Sequence, residues 1–286
     1  MRRGIICGHS TLGIPCLDTM AAVKVREYIL LVLLLAISYV PAYGSSIIVV
    51  RTDNEVVIGT DSKRVRAAKE DLSNAQSELV CKIVRADNIF IVSAGIAGIL
   101  PYNHGKIPAE FDLTEIMNRA SLGEGSMMDK ADTLAKAVDG ALLRISEWAK
   151  KKMRTFFEKM FIGKQLLQVV IAGLENGLPT IIVMAFEPTI SPSGELKINV
   201  ESHPCPGVAC PSGFVYIFIG KHEAIDRYLP LAPDMWKNNP VEVVRELMEI
   251  EVTSERETVG RPIDILRITK DGPEWIQEKD MCEDHL

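Results

Sequence analysis

The chain has 286 residues, of which 47% are apolar and 24% charged, the balance of a folded globular protein and not of a disordered one. Its formal net charge of -6 provides no basic footprint, so nucleic acid is excluded as the expected partner. The length admits one large domain or two small ones.

The first readable element is "VKVREYILLVLLLAISYVPAYG", where Lys24 and Arg26 precede an apolar core from Tyr28 to Val40 and Ala42-Tyr43-Gly44 form a small-residue exit. This is the order of a secretory signal, and residues 1–44 are read as one. The apolar core is shorter than the roughly 20 residues of a membrane span, so an anchor at 28–40 is the alternative. Counted from Met1 the segment exceeds the roughly 15–30 residues of such signals, whereas counted from Met20 it fits, which makes Met20 a candidate start. Cleavage after Gly44 would leave Ser45 first, on a protein that is secreted, luminal or periplasmic.

"SSIIVVRTDNEVVIGTDSKRV" contains two β-branched runs, 46–51 and 55–60, joined by Thr52-Asp53-Asn54, and predicts a hairpin. A polar, Ala-rich stretch at 62–78 predicts a loop. In "LVCKIVRADNIFIVSAG" a second hairpin pairs 79–85 with 88–93 across Ala86-Asp87-Asn88, giving an antiparallel sheet. Helical spacing follows over 112–120 and 129–161, with Leu134, Val138, Ala141, Leu142, Ile145 and Trp148 on one stripe and Asp129 as N-cap. "KQLLQVVIAGLE" and "LPTIIVMAFEP" predict strands turning at Asn176-Gly177, followed by a weaker strand at 195–201 and a Pro-rich loop at 203–213. The apolar strand "FVYIFIG", a short helix near 221–229, a longer one in "PVEVVRELMEIEVTSERETV" and strands in "PIDILRIT" and "PEWIQ" complete the order. Runs of strands alternating with helices predict an α+β fold of two antiparallel sheets flanked by helices, in one domain from 45 to 277. Residues 278–286 read as a loose acidic tail.

Of the six cysteines, Cys7 and Cys16 precede the apolar run and Cys81, Cys205, Cys210 and Cys282 follow it. In "HPCPGVACPSG" a short loop can close a Cys205–Cys210 disulfide in an oxidising compartment. A metal site with His203 and His222 is the rival reading; the Cys spacing is wider than zinc pairs use, so a structural loop is favoured and neither metal nor cofactor is expected. His104 or His222 would need a nucleophile elbow to build a Ser/His/Asp triad, and none is present. "SLGEGS" lacks the Lys-Ser/Thr of a phosphate loop, and the charged run "AKKKMRTFFEK" reads as a solvated face.

The stretch from 45 to 98, "SSIIVVRTDNEVVIGTDSKRV" followed by "CKIVRADNIFIVSAGIAG", resembles proteasome β-type subunits and their bacterial relatives, which are N-terminal-nucleophile hydrolases. The resemblance returns faintly at 214–276. It implies a four-layer αββα sandwich, a nucleophile at Ser45 released by cleavage after Gly44, Asp61 in "GTDSK", Lys82 in "CKIV", and an oxyanion glycine at Gly95. Elementary chemistry agrees. A serine hydroxyl needs a base, and an N-terminal residue carries one in its own α-amino group, of reference pKa about 7.7–8.0. A nearby Lys82 ammonium lowers that value further, Asp61 orients the lysine, and the Gly95 N–H can face an oxyanion. Each residue also has a plain structural reading: the first residue after a signal, a strand-end turn, a strand lysine and a turn glycine.

Three features depart from the family pattern. Serine replaces the usual threonine, the interval from Asp61 to Lys82 is longer, and "TSERETVG" lacks a clean match for the supporting Asp and Ser, leaving Ser254, Glu255 and Thr258 as substitutes. The expected function is hydrolysis of amide bonds in peptides through an acyl-enzyme. A catalytically inactive protein used for binding or assembly, and a hydrolase of small amides, are the alternatives. The expected partner is a peptide or small amide substrate, in a monomer or small homo-oligomer.

Overall fold

A computed structural model describes residues 45–66, 76–96, 113–119, 123–207, 210, 213–280 and 282. The predicted signal, including 28–40, lies outside these residues, as does His104. Among the described residues no helix is long and apolar enough to cross a membrane.

Three layers of packing follow from strands that are apolar on both faces. β1 (Ser46–Arg51) and β2 (Glu55–Thr60) are buried at every position, which requires cover on each side of their sheet. β3 (Lys63–Arg66) and β4 (Gln76–Leu79) form a small ribbon, and β5 (Ile83–Ala86) pairs with β6 (Ile89–Gly95). Helices α1 (Leu113–Arg119), α2 (Met127–Lys152) and α3 (Arg154–Met160) come next. β7 (Leu167–Glu175) and β8 (Leu178–Ile190) then turn at Asn176 and Gly177, both at positive φ as a tight hairpin of the Asn-Gly type demands. β9 (Leu196–Cys205) and β10 (Val215–Gly220) are followed by α4 (Glu223–Tyr228) and α5 (Pro240–Ser254), then by β11 (Asp264–Thr269) and β12 (Gly272–Gln277).

The strands assemble into two five-stranded antiparallel sheets, β10-β1-β2-β11-β12 and β5-β6-β7-β8-β9. Alternation along each strand sends neighbours into different cores. Ile47, Val49 and Ile58 of the first sheet meet Phe90, Val92, Val170 and Ala172 of the second. Ile48, Val50 and Val57 face Val243, Val244, Leu247 and Met248 of α5. On the far side Ile89, Ile91, Val169 and Ile171 pack under Leu134, Val138, Leu142 and Ile145 of α2. The chain is therefore a mixed α+β protein with two antiparallel sheets and flanking helices, compatible with a sandwich.

Several local expectations are corrected. The stretch 62–78 contains β3 and β4, a ribbon whose polar sequence has no apolar alternation to betray it. The second hairpin begins at Ile83, not at 79, because Leu79 ends β4 and 80–82 lie outside any strand. The long helix starts at Met127 with Ser126 as N-cap; Asp129 is the N3 partner that returns a bond to the Ser126 N–H in a capping box. It breaks at Met153, after Lys150, Lys151 and Lys152, which sit favourably at the negative end of the helix dipole.

The tail is also docked, not loose, as far as Cys282. Lys279 is 3% exposed, its N–H donates to Asp264 Oδ1 at 3.0 Å, and Cys282 is disulfide-bonded to Cys81. A second disulfide joins Cys205 and Cys210, with Gly207 and Cys210 exchanging backbone bonds at 2.8 and 3.1 Å across the loop. The two histidines of the rival metal reading stand on separate elements, His203 beside Glu201 on β9 and His222 beside Asp226 ahead of α4. Among the described residues no group of three His, Cys, Asp or Glu is placed to hold a metal.

Candidate functional site

One end of the stacked sheets gathers the residues singled out above. Antiparallel pairing brings the start of β1, the end of β2 and the end of β10 together, and the start of β5 lies beside the end of β6. Asp61 follows β2 and its N–H continues the ladder onto the Ser46 carbonyl at 3.2 Å. Its carboxylate is fully buried and collects four donors. Oδ1 accepts the Ser46 N–H at 2.9 Å and the Lys82 ammonium; Oδ2 accepts the Lys63 N–H at 2.9 Å and the Gly260 N–H at 3.2 Å. A buried carboxylate is costly unless paired and hydrogen-bonded, and this one is both. The Lys82 side chain is only 6% exposed.

Ser45 lies immediately before β1 and its carbonyl accepts the Lys221 N–H at 2.6 Å. Next to it, Gly220 has φ +80°, and a Cβ there would stand 2.1 Å from the Ser45 oxygen and 2.9 Å from Ala94 Cβ. Only a glycine lets β10 close between the Ser45 carbonyl and the end of β6. Gly95 follows Ala94, with φ +122° and with Leu166 O only 2.2 Å from where its Cβ would be. Ser45, Asp61, Lys82 and Gly95 thus sit on converging strand ends. The direct bonds join Asp61 to Lys82 and to the residue after Ser45; Gly95 reaches the group through Ala94 and Gly220.

The segment "TSERETVG" contributes backbone, not side chains. Glu255 caps α5 through its N–H, the Thr258 hydroxyl turns to the Glu255 carbonyl at 3.4 Å, and it is Gly260 that reaches Asp61. The Gly260 carbonyl accepts the Ser62 N–H at 3.0 Å, so the loop grips both residues that follow β2. A glycine ahead of Arg-Pro was the available signal, and sequence reasoning missed it, along with Gly220.

A second buried carboxylate stands alongside. Asp264 pairs in register with Thr60, is 1% exposed, and forms an ion pair with Lys279 at 2.5 Å. Burial pushes its carboxyl above the ordinary value, while the Lys279 and Lys82 ammonium groups pull it back down. Neither Asp264 nor Lys279 carried a sequence signal, because one looks like a strand-edge residue and the other like part of a polar tail.

Glu251 of α5 meets α4, fully buried, with Oε2 accepting the Ile225 N–H at 3.2 Å and Oε1 lacking a partner. Burial first, then the Glu223 and Glu255 charges, push its carboxyl up to about 7, against the Ile225 N–H and His222. Raised from 4.5 to about 7, this group binds more proton in the folded chain across that window. Its contribution is therefore full below 4.5 and lost as pH rises through about 7. Glu251→Gln keeps the acceptor for Ile225 and cannot ionise. Melting temperatures measured from pH 5 to pH 8 should show this variant gaining on the parent as pH rises; a constant difference between the two would contradict the assignment.

No family model matches the chain, and no curated protein is significantly similar to it.

Proposed function

We propose that the protein is an N-terminal-nucleophile hydrolase of proteasome-like αββα architecture, in which Ser45, freed by cleavage after Gly44, attacks amide bonds of peptides. The observation that carries this reading is the buried Asp61–Lys82 pair, with the same Asp61 oxygen that meets Lys82 also accepting the N–H of the residue after Ser45. A lysine charge fixed beside a chain terminus favours the neutral amine, which is the form that can take a proton. In the proposed cycle the α-amino group of Ser45 accepts the proton as Oγ adds to the carbonyl. The amine then returns that proton to the leaving group, an ester to Ser45 remains, and water hydrolyses it. In this reading the Gly95 N–H faces the developing oxyanion; the residue is glycine because its φ of +122° and the Leu166 carbonyl oxygen, 2.2 Å from where a Cβ would stand, admit no side chain.

Cys81, Cys205, Cys210 and Cys282 are all paired, as an oxidising compartment permits, which supports export of the mature chain. The test is to produce the full chain in a secreting host, sequence the N-terminus of the product and expose it to a β-lactone probe. A chain beginning at Ser45 and acylated there is the expected result. A product that begins elsewhere, or a free Ser45 that stays unlabelled, would favour a non-catalytic binding or assembly protein.

A further inference from the structure

The segment that holds Lys82 is unusual in what fixes it. Residues 80–82 belong to no strand, yet the Lys82 side chain is nearly inaccessible and directed at Asp61. Besides the Lys82–Asp61 bond, the contacts on this segment include three at Val80 and Cys81. The Val80 N–H donates to the Ser62 carbonyl at 2.9 Å, the Val80 carbonyl accepts the Lys279 ammonium at 3.1 Å, and Cys81 is disulfide-bonded to Cys282. Two of the three come from the C-terminal segment. That segment is itself anchored at Asp264, which takes both the Lys279 N–H and its ammonium, and the Cys282 N–H turns it back onto the Lys279 carbonyl at 2.9 Å. The two ion pairs, Asp61 with Lys82 and Asp264 with Lys279, are both buried, and the Lys82 charge also pulls the Asp264 carboxyl down.

We propose that Lys279 and the Cys81–Cys282 disulfide are positioning elements for Lys82, so that opening this disulfide with a dithiol reductant lowers turnover by loosening Lys82 from Asp61. The inference rests on the hydrolase reading and assigns a redox control to that site. In the exchange, one thiolate of the reductant attacks a disulfide sulfur and expels the other as a thiolate. The second reductant thiol then resolves the mixed disulfide. Two electrons pass, the reductant ends as a cyclic disulfide, and Cys81 and Cys282 end as thiols. The two cysteines lie 201 residues apart in sequence, so once the bond opens only noncovalent contacts keep the tail on residues 80–82. Neither Lys279 nor the disulfide is a catalytic group: both act through Lys82.

The test uses the mature chain carrying Cys205→Ser and Cys210→Ser, so that one disulfide remains. It is compared oxidised, reduced with dithiothreitol and freed of reductant, and reoxidised, beside oxidised Lys279→Met and Lys279→Arg. The kcat and KM for a peptide amide, their pH profiles and the rate of Ser45 acylation by a β-lactone report on the site. Hydrogen exchange at the Ser46, Lys63 and Gly260 amides, all donors to Asp61, reports on positioning without any catalysis. Reduction and Lys279→Met should each lower kcat about tenfold or more with little change in KM, and move the acidic limb of the profile upward. Exchange at the three amides should become faster, reoxidation should restore both readouts, and Lys279→Arg should keep most of the activity. Activity within twofold of the oxidised parent after verified reduction overturns the proposal, as does unchanged exchange. An oxidised parent whose Ser45 never reacts overturns the hydrolase reading instead, and the exchange data still decide the positioning claim.

Discussion

Under the proposed mechanism, replacing Ser45 with alanine should abolish turnover of amide substrates, by a factor of about a thousand or more, while leaving the melting temperature within a few degrees of the parent. Loss of a nucleophile removes the covalent route entirely, and in enzymes whose groups act as a unit such a single loss costs nearly as much as removing the whole set. The fold has little stake in the hydroxyl: Ser45 precedes β1, and the contact that seats it is made by its backbone carbonyl to Lys221. Adding one residue before Ser45 should be equally damaging. The hydroxyl would remain, but the amine would become an amide that cannot take a proton. Ser45→Thr should keep the chemistry, since the hydroxyl persists and the added methyl only narrows its rotamers. Steady-state kinetics on the three variants, with each N-terminus verified by mass, decide the matter. Undiminished hydrolysis by the alanine or the extended variant would remove Ser45 from the mechanism and point to another nucleophile.

What could be read in the sequence was read where one physical signal dominated. β1 and β2 followed from β-branched runs about a polar turn, and β7 and β8 from long apolar runs about Asn176-Gly177, a pair that tolerates positive φ. The stripe on α2 was legible because a 3.6-residue period carries its own face, and Leu134, Val138, Ala141, Leu142 and Ile145 all lie in the core. What escaped depended on partners distant in sequence. The sequences of β3 and β4 show no apolar alternation, and the ribbon follows only from their pairing with each other. Gly220 looks like the end of an apolar strand until the Ser45 carbonyl is placed against it. Lys279 and Cys282 sit in a charged, acidic segment, and nothing local says that one is buried against Asp264 and the other bonded to Cys81. At the candidate site, Asp61 and Lys82 were legible through a resemblance. The donors that make Asp61 tolerable in the interior were not, because backbone N–H groups leave no mark on a sequence.

That distinction bears on the second large effect, which is expected from Lys82→Met. The variant keeps the bulk of the side chain and removes its charge, leaving the fully buried Asp61 with its three backbone donors but no counterion. Removing one partner of a buried ion pair costs about 3–5 kcal/mol in typical proteins, far more than an exposed pair would. The three amides offset part of that cost, so the lower end of the range is expected. Turnover should fall further than stability alone explains. Without the ammonium nearby, the Ser45 amine holds its proton to higher pH, and the acidic limb of the pH profile moves upward. Pairing Lys82→Met with Asp61→Asn separates the two effects, because the neutral amide retains one acceptor oxygen and carries no charge to strand. Denaturant unfolding should find the double variant more stable than Lys82→Met alone, while kinetics find it no more active. If Lys82→Met unfolds within about 1 kcal/mol of the parent, Asp61 is not the desolvated partner its four donors make it. If the double variant instead regains activity, the lysine serves the fold and not the terminus of the chain.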